Sequence, residues 1–262
     1  MKADWEELIS QPIYKVKQQK NVSILVREGT RLAADVYYPD ANGKFPALLS
    51  YACYSKDMQK LPIAPYPLSD KLGNGGIEAG DAEYFVSRGY VNVIVDPRGI
   101  GLSEGGGGYR AFARKEQEDG YDIVEWIAKQ PWCNGNVGML GMSYFAMIQY
   151  FVAALNPPHL KAIFPHDACA DFYRSWAYHG GILNYGFTKH WWPLVAAHTI
   201  QPLNYSEDEL KQMIEAAKSN DDIKRNPSVY ITLMVPGKNP HLFDLAIHPY
   251  DGPYYWDRSG YT

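Results

Sequence analysis

Between residues 90 and 165 the chain alternates short apolar runs with segments of helical spacing, and few folds accommodate that alternation. "YVNVIVD" (90–96) is an almost continuous apolar run, as expected of a strand buried on both faces. "QEDGYDIVEWIAKQ" (117–130) places Ile123, Trp126 and Ile127 at helical spacing. "NVGMLG" (136–141) is again strand-like, and "YFAMIQYFVAAL" (144–155) is an apolar helix closed by Asn156-Pro157-Pro158. "LKAIFP" (160–165) is the next strand. Parallel strands need crossovers of about a dozen residues, so this order predicts an α/β fold: a mostly parallel sheet with helices on both faces.

Upstream, residues 23–29 and 31–39 read as two strands joined at Glu28-Gly29, and "FPALLSYA" (45–52) as a strand buried on both sides. Residues 55–80 form a long loop rich in proline and glycine, and residues 81–89 a helix stopped by Gly89. From Asp171 to His198 aromatic residues crowd the chain. Ser206 and Glu209 have capping-box spacing and predict a helix over 206–219. Residues 1–170 are therefore expected to form the sheet region, and 171–262 a helical, aromatic-rich cap or insertion.

Composition excludes several classes. With 46% hydrophobic and 21% charged residues and a net charge of −4, the chain suits neither disorder nor a nucleic-acid partner. No apolar run reaches the roughly 18 residues of a membrane span, and the N-terminus has no signal-like apolar core. Cys53, Cys133 and Cys169 are sparse and lack metal-ligand spacing, which suggests a reducing, cytoplasmic setting with no metal and no cofactor.

Ser143 carries the chemistry. It stands between a buried strand and an apolar helix, where a nucleophile elbow places its serine and where helix N–H groups face a developing oxyanion. Gly141 lies two residues before it, but Phe145 stands where a glycine is common two residues after. The alternative is an ordinary serine in a buried turn. Tyr54, or its neighbour Tyr51, follows the strand whose loop supplies a second oxyanion donor in this fold class, and a phenol is a neutral donor on a rigid stem. "DPRGIGLSEG" (96–105) lacks phosphate-loop spacing and is expected to be a structural loop held by an Asp96–Arg98 ion pair.

Four stretches, "VREGTRLAADVYYPDANGKFPALLSYACYSKD", "YFVSRGYVNVIVDPRGIGLSEG", "EDGYDIVEWIAKQPWCNGNVGMLGMSYFAMIQY" and "LKAIFPHDACADFYRSW", together resemble the N-terminal portion of the Xaa-Pro dipeptidyl-peptidase and cocaine-esterase group of α/β-hydrolases. The resemblance implies Ser143 as nucleophile, with the Tyr54 hydroxyl and the Tyr144 backbone N–H as oxyanion donors. It also places Gln149 and the aromatic stretch near the pocket. Ala146 departs from a glycine common in the family three residues after the serine.

In that family the acid and the histidine follow the cap, and no matching positions occur here, so the C-terminal part of the fold is expected to be absent. Among the later histidines, His159, His166, His179, His190, His198, His241 and His248, only His166 falls just after a strand, with Asp167 or Asp171 as a partner. The expected function is a serine hydrolase cleaving ester or amide bonds, Xaa-Pro dipeptidyl bonds among them, as part of a longer parent chain. The alternative is a non-catalytic binding module on the same scaffold. The expected substrate is a small ester or peptide with an apolar or aromatic acyl part. An unfinished sheet also predicts association into a homo-oligomer.

Overall fold

The computed structural model describes residues 9–60, 78–105, 111–196, 206–235, 237 and 239–260. In chain order the sheet region runs β1 (Val16–Leu25), β2 (Arg31–Pro39), β3 (Phe45–Tyr51), α1 (Ala82–Val86), β4 (Val91–Val95), α2 (Arg114–Ala128), β5 (Cys133–Met142), α3 (Tyr144–Ala154) and β6 (Leu160–His166). The six strands form one sheet in the order β1-β2-β4-β3-β5-β6. Pairings among β4, β3, β5 and β6 are parallel, whereas β1 with β2 and β2 with β4 are antiparallel. The mostly parallel α/β sheet expected from the alternation is therefore present.

Several boundaries differ from those expected, two of them for physical reasons. β1 begins at Val16, seven residues before its predicted start, because it is a largely exposed edge strand whose polar residues need no apolar alternation. α2 begins at Arg114 rather than Gln117, since Glu116, Gln117 and Asp119 are buried polar residues that hide its inward face from a hydrophobicity reading. Within the long loop predicted over 55–80, residues 61–77 lie outside the described residues. The described flanks are joined by Gln59, whose Oε1 accepts the N–H groups of Glu78 (2.9 Å) and Ala79 (3.1 Å).

The expected Asp96–Arg98 pair does not form. Asp96 instead accepts the backbone N–H groups of Lys56 (2.6 Å) and Leu102 (3.2 Å), closing the loop after β4. Arg98 reaches α2 and makes a two-point bond to Asp119, at 2.9 and 2.8 Å. A buried carboxylate that accepts two N–H groups is satisfied by them, and this leaves the guanidinium for the buried Asp119.

Register sorts the sheet into two faces. Ala47, Leu49, Tyr51, Val91, Val93, Val95 and Val137 are fully buried on one. α2 and α3 pack there, and Gly120 of α2 leaves no room for a side chain against Val152 and Tyr51. The other face carries Leu48, Asn92, Gly138, Leu140, Ala162 and Phe164 and is crossed by the five-residue α1. An apolar groove of about 420 Å³ lies between α1 and these strands, lined by Tyr84, Phe85, Leu48, Leu140 and Phe164 among others.

After β6 the chain passes through a π-turn (Tyr173–Ala177) and a small hairpin, β7 (Tyr178–His179) with β8 (Ile182–Leu183), and then becomes helical. α4 (Tyr185–Ala196), α5 (Glu207–Ser219), α6 (Asp221–Lys224), α7 (Pro227–Met234), α8 (Pro240–Ile247) and α9 (Pro253–Trp256) follow. α5 opens with the predicted capping box at Ser206 and Glu209. The sheet's core continues without a break into Phe172, Trp176, Trp191, Trp192 and Tyr255. Ala217, Ile223, Val229, Leu233, Phe243 and Ala246 form a second, smaller cluster. Among the described residues no helix is long and apolar enough to cross a membrane.

Candidate active site

The site is built where β5 gives way to α3. Ser143 joins them with φ 56° and ψ −117°, a conformation that L residues with side chains avoid. Backbone from β6 and from the loop before α1 pins this turn. The Ser143 N–H donates to the His166 carbonyl at the end of β6 (3.1 Å), and the Met142 N–H donates to the Glu78 carbonyl (3.0 Å). The Ser143 carbonyl in turn accepts the N–H groups of Ala146 (3.0 Å) and Met147 (2.9 Å), starting α3. Gly141 has φ +144°, and a side chain there would collide with the Phe145 Cβ. The glycine two residues before the serine is thus required by packing. Ala146 is fully buried inside α3, where the family's glycine is not needed to form the turn.

Tyr54 stands beyond the end of β3, the parallel neighbour of β5, so both candidates emerge at the same end of the sheet. Its ring packs edge-on against that of Tyr144 (6.4 Å, 69°) and against Phe145. Burial, with Cys53 and Glu78 nearby, holds the Tyr54 phenol well above its ordinary pKa, so it keeps its proton at neutral pH. Tyr51, the other candidate, points to the covered face and donates to the Glu116 carbonyl of α2 (3.2 Å). The Tyr144 side chain is held away from the serine: it donates to Glu116 Oε2 (2.7 Å), accepts the Phe112 N–H (2.8 Å) and stacks on the Phe112 ring (4.0 Å). Its backbone opens α3, where N–H groups converge at the positive end of the helix.

Two features that sequence reasoning missed sit here. Glu78, from the glycine-rich loop, lays its backbone against the elbow. Its carboxyl is pushed up to about 8, by burial first and by the charge of Asp167 second. Glu78 Oε2 is buried and has no hydrogen-bond partner among the described residues. Trp191 of α4 donates its indole N–H to the Tyr54 hydroxyl (2.6 Å). Neither has a local signal: one is a lone acid in a loop, the other is 137 residues from its partner.

The histidines are dispersed. His166 is exposed, and its carbonyl serves the elbow. His159 pairs with Glu125 (2.8 Å), and its carbonyl accepts the Val137 N–H midway along β5. His179, His190 and His248 each place a ring nitrogen against the carbonyl of the residue four before it. His198 lies outside the described residues. His241 is buried among Trp176, Trp191 and Trp192, and burial drives its pKa down to about 3, so it is neutral. Asp171 caps the turn before Tyr173 through the Arg174 N–H (2.8 Å) and pairs with the Arg174 guanidinium. Gln149 ties α3 to β6 through the N–H and carbonyl of Phe164, at 2.9 and 3.3 Å. Among the described residues no group of histidine, cysteine and acidic side chains could hold a metal ion.

A strained serine between a parallel strand and a helix, on a sheet of this order, defines an α/β-hydrolase scaffold. Residues 28–235 match the family described as X-Pro dipeptidyl-peptidase (S15 family), and the chain belongs to that family. It is 37% identical over 183 residues to the cocaine esterase of Rhodococcus sp. (strain MB1 Bresler), a match that covers 69% of this chain and 29% of the esterase. The Xaa-Pro dipeptidyl-peptidase of Lactobacillus delbrueckii subsp. lactis is 27% identical over 129 residues, covering 42% of this chain and 16% of that protein. Among solved structures, a CocE/NonD family hydrolase from Staphylococcus aureus superposes with a TM-score of 0.66 at 28% identity, covering 92% of this chain and 38% of the other. The chain thus spans well under half the length of these relatives, and the fold it shows is partial.

Proposed function

We propose that this chain is the nucleophile-bearing part of a serine hydrolase that cleaves ester or amide bonds through an acyl-enzyme. Ser143 Oγ attacks the substrate carbonyl. The Tyr54 hydroxyl and the Tyr144 N–H receive the oxyanion, the leaving group departs with a proton, and water then releases the acyl group. The observation that carries this reading is the strained Ser143 backbone at the β5–α3 junction, held from both sides by hydrogen bonds. The aromatic wall of Trp176, Trp191 and Phe187 favours an apolar or aromatic acyl group, a small ester or an Xaa-Pro peptide among them. Residues 171–262, which carry this wall, act as the cap. In this reading the base and acid come from sequence outside the described residues, since no described histidine is paired with a carboxylate beside Ser143.

The test is labelling of the chain by a fluorophosphonate probe, read by intact mass spectrometry with Ser143→Ala alongside. A single adduct, absent from the alanine variant, is expected if Ser143 is activated within this chain or by a partner copy. No adduct on the folded chain, together with ligand binding that survives Ser143→Ala, supports the binding-module reading instead.

A further inference from the structure

Trp191 belongs to the helical region, yet its indole N–H donates to the hydroxyl of Tyr54 at 2.6 Å across 137 residues of chain. Both side chains are buried, at 4% and 5% exposure. The indole is fixed in place. It lies parallel to the Tyr144 ring (6.1 Å, 13°) and to Phe187 (6.4 Å, 17°), and meets Trp176 (5.3 Å, 82°) and His241 (5.1 Å, 67°) edge-on. An indole nitrogen can only donate, so the phenol oxygen is the acceptor in this bond. The phenol has one proton of its own to give, and that proton must point away from Trp191. The Cys53 thiol lies within hydrogen-bonding reach of the hydroxyl. Sulfur is a weak acceptor, however, and a developing oxyanion displaces it. Accepting a bond from Trp191 also polarises the O–H and strengthens its donation.

We infer that Trp191 is a positioning residue for Tyr54: it holds the phenol so that its proton is presented to the oxyanion formed at Ser143. This inference rests on the reading of Tyr54 as an oxyanion donor. It gives the helical region a part in the chemistry beyond lining a pocket. Without α4 the sheet region still builds the elbow, but its oxyanion tyrosine is unaligned.

The experiment compares Trp191→Phe, Tyr54→Phe and the double variant, in the full chain, by the rate of fluorophosphonate labelling and by hydrolysis of p-nitrophenyl butyrate. Phenylalanine keeps an aromatic ring in the wall and removes the donor together with part of the indole's volume, and the double variant separates the two effects. The expected result for Trp191→Phe is a loss of about tenfold in kcat and in labelling rate, the value of one hydrogen bond, with KM nearly unchanged. The double variant is expected to be no slower than Tyr54→Phe, because Trp191 acts through that hydroxyl. A Trp191→Phe rate equal to wild type, or losses that multiply in the double variant, would overturn the inference. If the wild-type chain takes no label, the triad is incomplete within this chain, and the pair is judged by the Trp191 indole ¹⁵N–¹H resonance. A resonance that moves in Tyr54→Phe upholds the alignment, and one that stays in place ends it.

Discussion

The two faces of the sheet are made from the same strands and differ sharply. On the face under α2 and α3 Ala47, Leu49 and Tyr51 of β3 and Val91, Val93 and Val95 of β4 are fully buried, and Arg98 holds the buried Asp119 of α2 by a two-point bond. On the α1 face Phe164 is 58% exposed, and neither amide atom of the buried Asn92 has a hydrogen-bond partner among the described residues. Alternation along a strand decides which residues share a face, but only the helices that follow decide whether the face is covered. "FPALLSYA" is apolar at nearly every position, and only half of those positions meet a helix layer.

Substitutions turn this contrast into measurements. Arg98→Ala is expected to cost the most, about 3–5 kcal/mol by urea denaturation, because it strands the fully buried Asp119, whose carboxyl burial already pushes upward despite the guanidinium beside it. Leu49→Ala, on the same face, is expected to cost about 2–5 kcal/mol through an unfilled cavity. Glu78→Gln tests the site at the boundary between the faces. The Glu78 carboxyl is raised from 4.5 to about 8, so the folded chain holds this proton more tightly than the unfolded chain does. Its contribution to stability is therefore lost as pH rises from about 4.5 to about 8. At about 1.4 kcal/mol per pKa unit, the glutamine variant is expected to gain about 4 kcal/mol over wild type at pH 8 and almost nothing at pH 4.5. Phe164→Ser, on the open face, is expected to stay within about 0.5 kcal/mol of wild type. A penalty there as large as that of Leu49→Ala would mean that the open face is covered in solution, and the contrast would fall.

What was legible in the sequence was local or periodic. β3, β4, α3 and β6 declare themselves by apolar runs and by the proline pair after α3, and α5 by its capping box. The elbow was legible for the same reason, since a strand, a glycine, a serine and an apolar helix are contiguous. Polar residues that are buried hid the start of α2, and an edge strand without alternation hid most of β1. Proximity along the chain misled the pairing of Asp96, which prefers the backbone of its own loop, while Arg98 finds Asp119 21 residues away. Glu78 and Trp191 act on the site through tertiary contacts alone, and no spacing rule reaches them.

The backbone at Ser143 has a consequence for how such a chain changes over generations. A left-handed angle costs a serine about 1–3 kcal/mol that a glycine would not lose, so the most stabilising single substitution at the elbow is also the one that deletes the hydroxyl. Random drift under selection for folding alone runs toward glycine at this position.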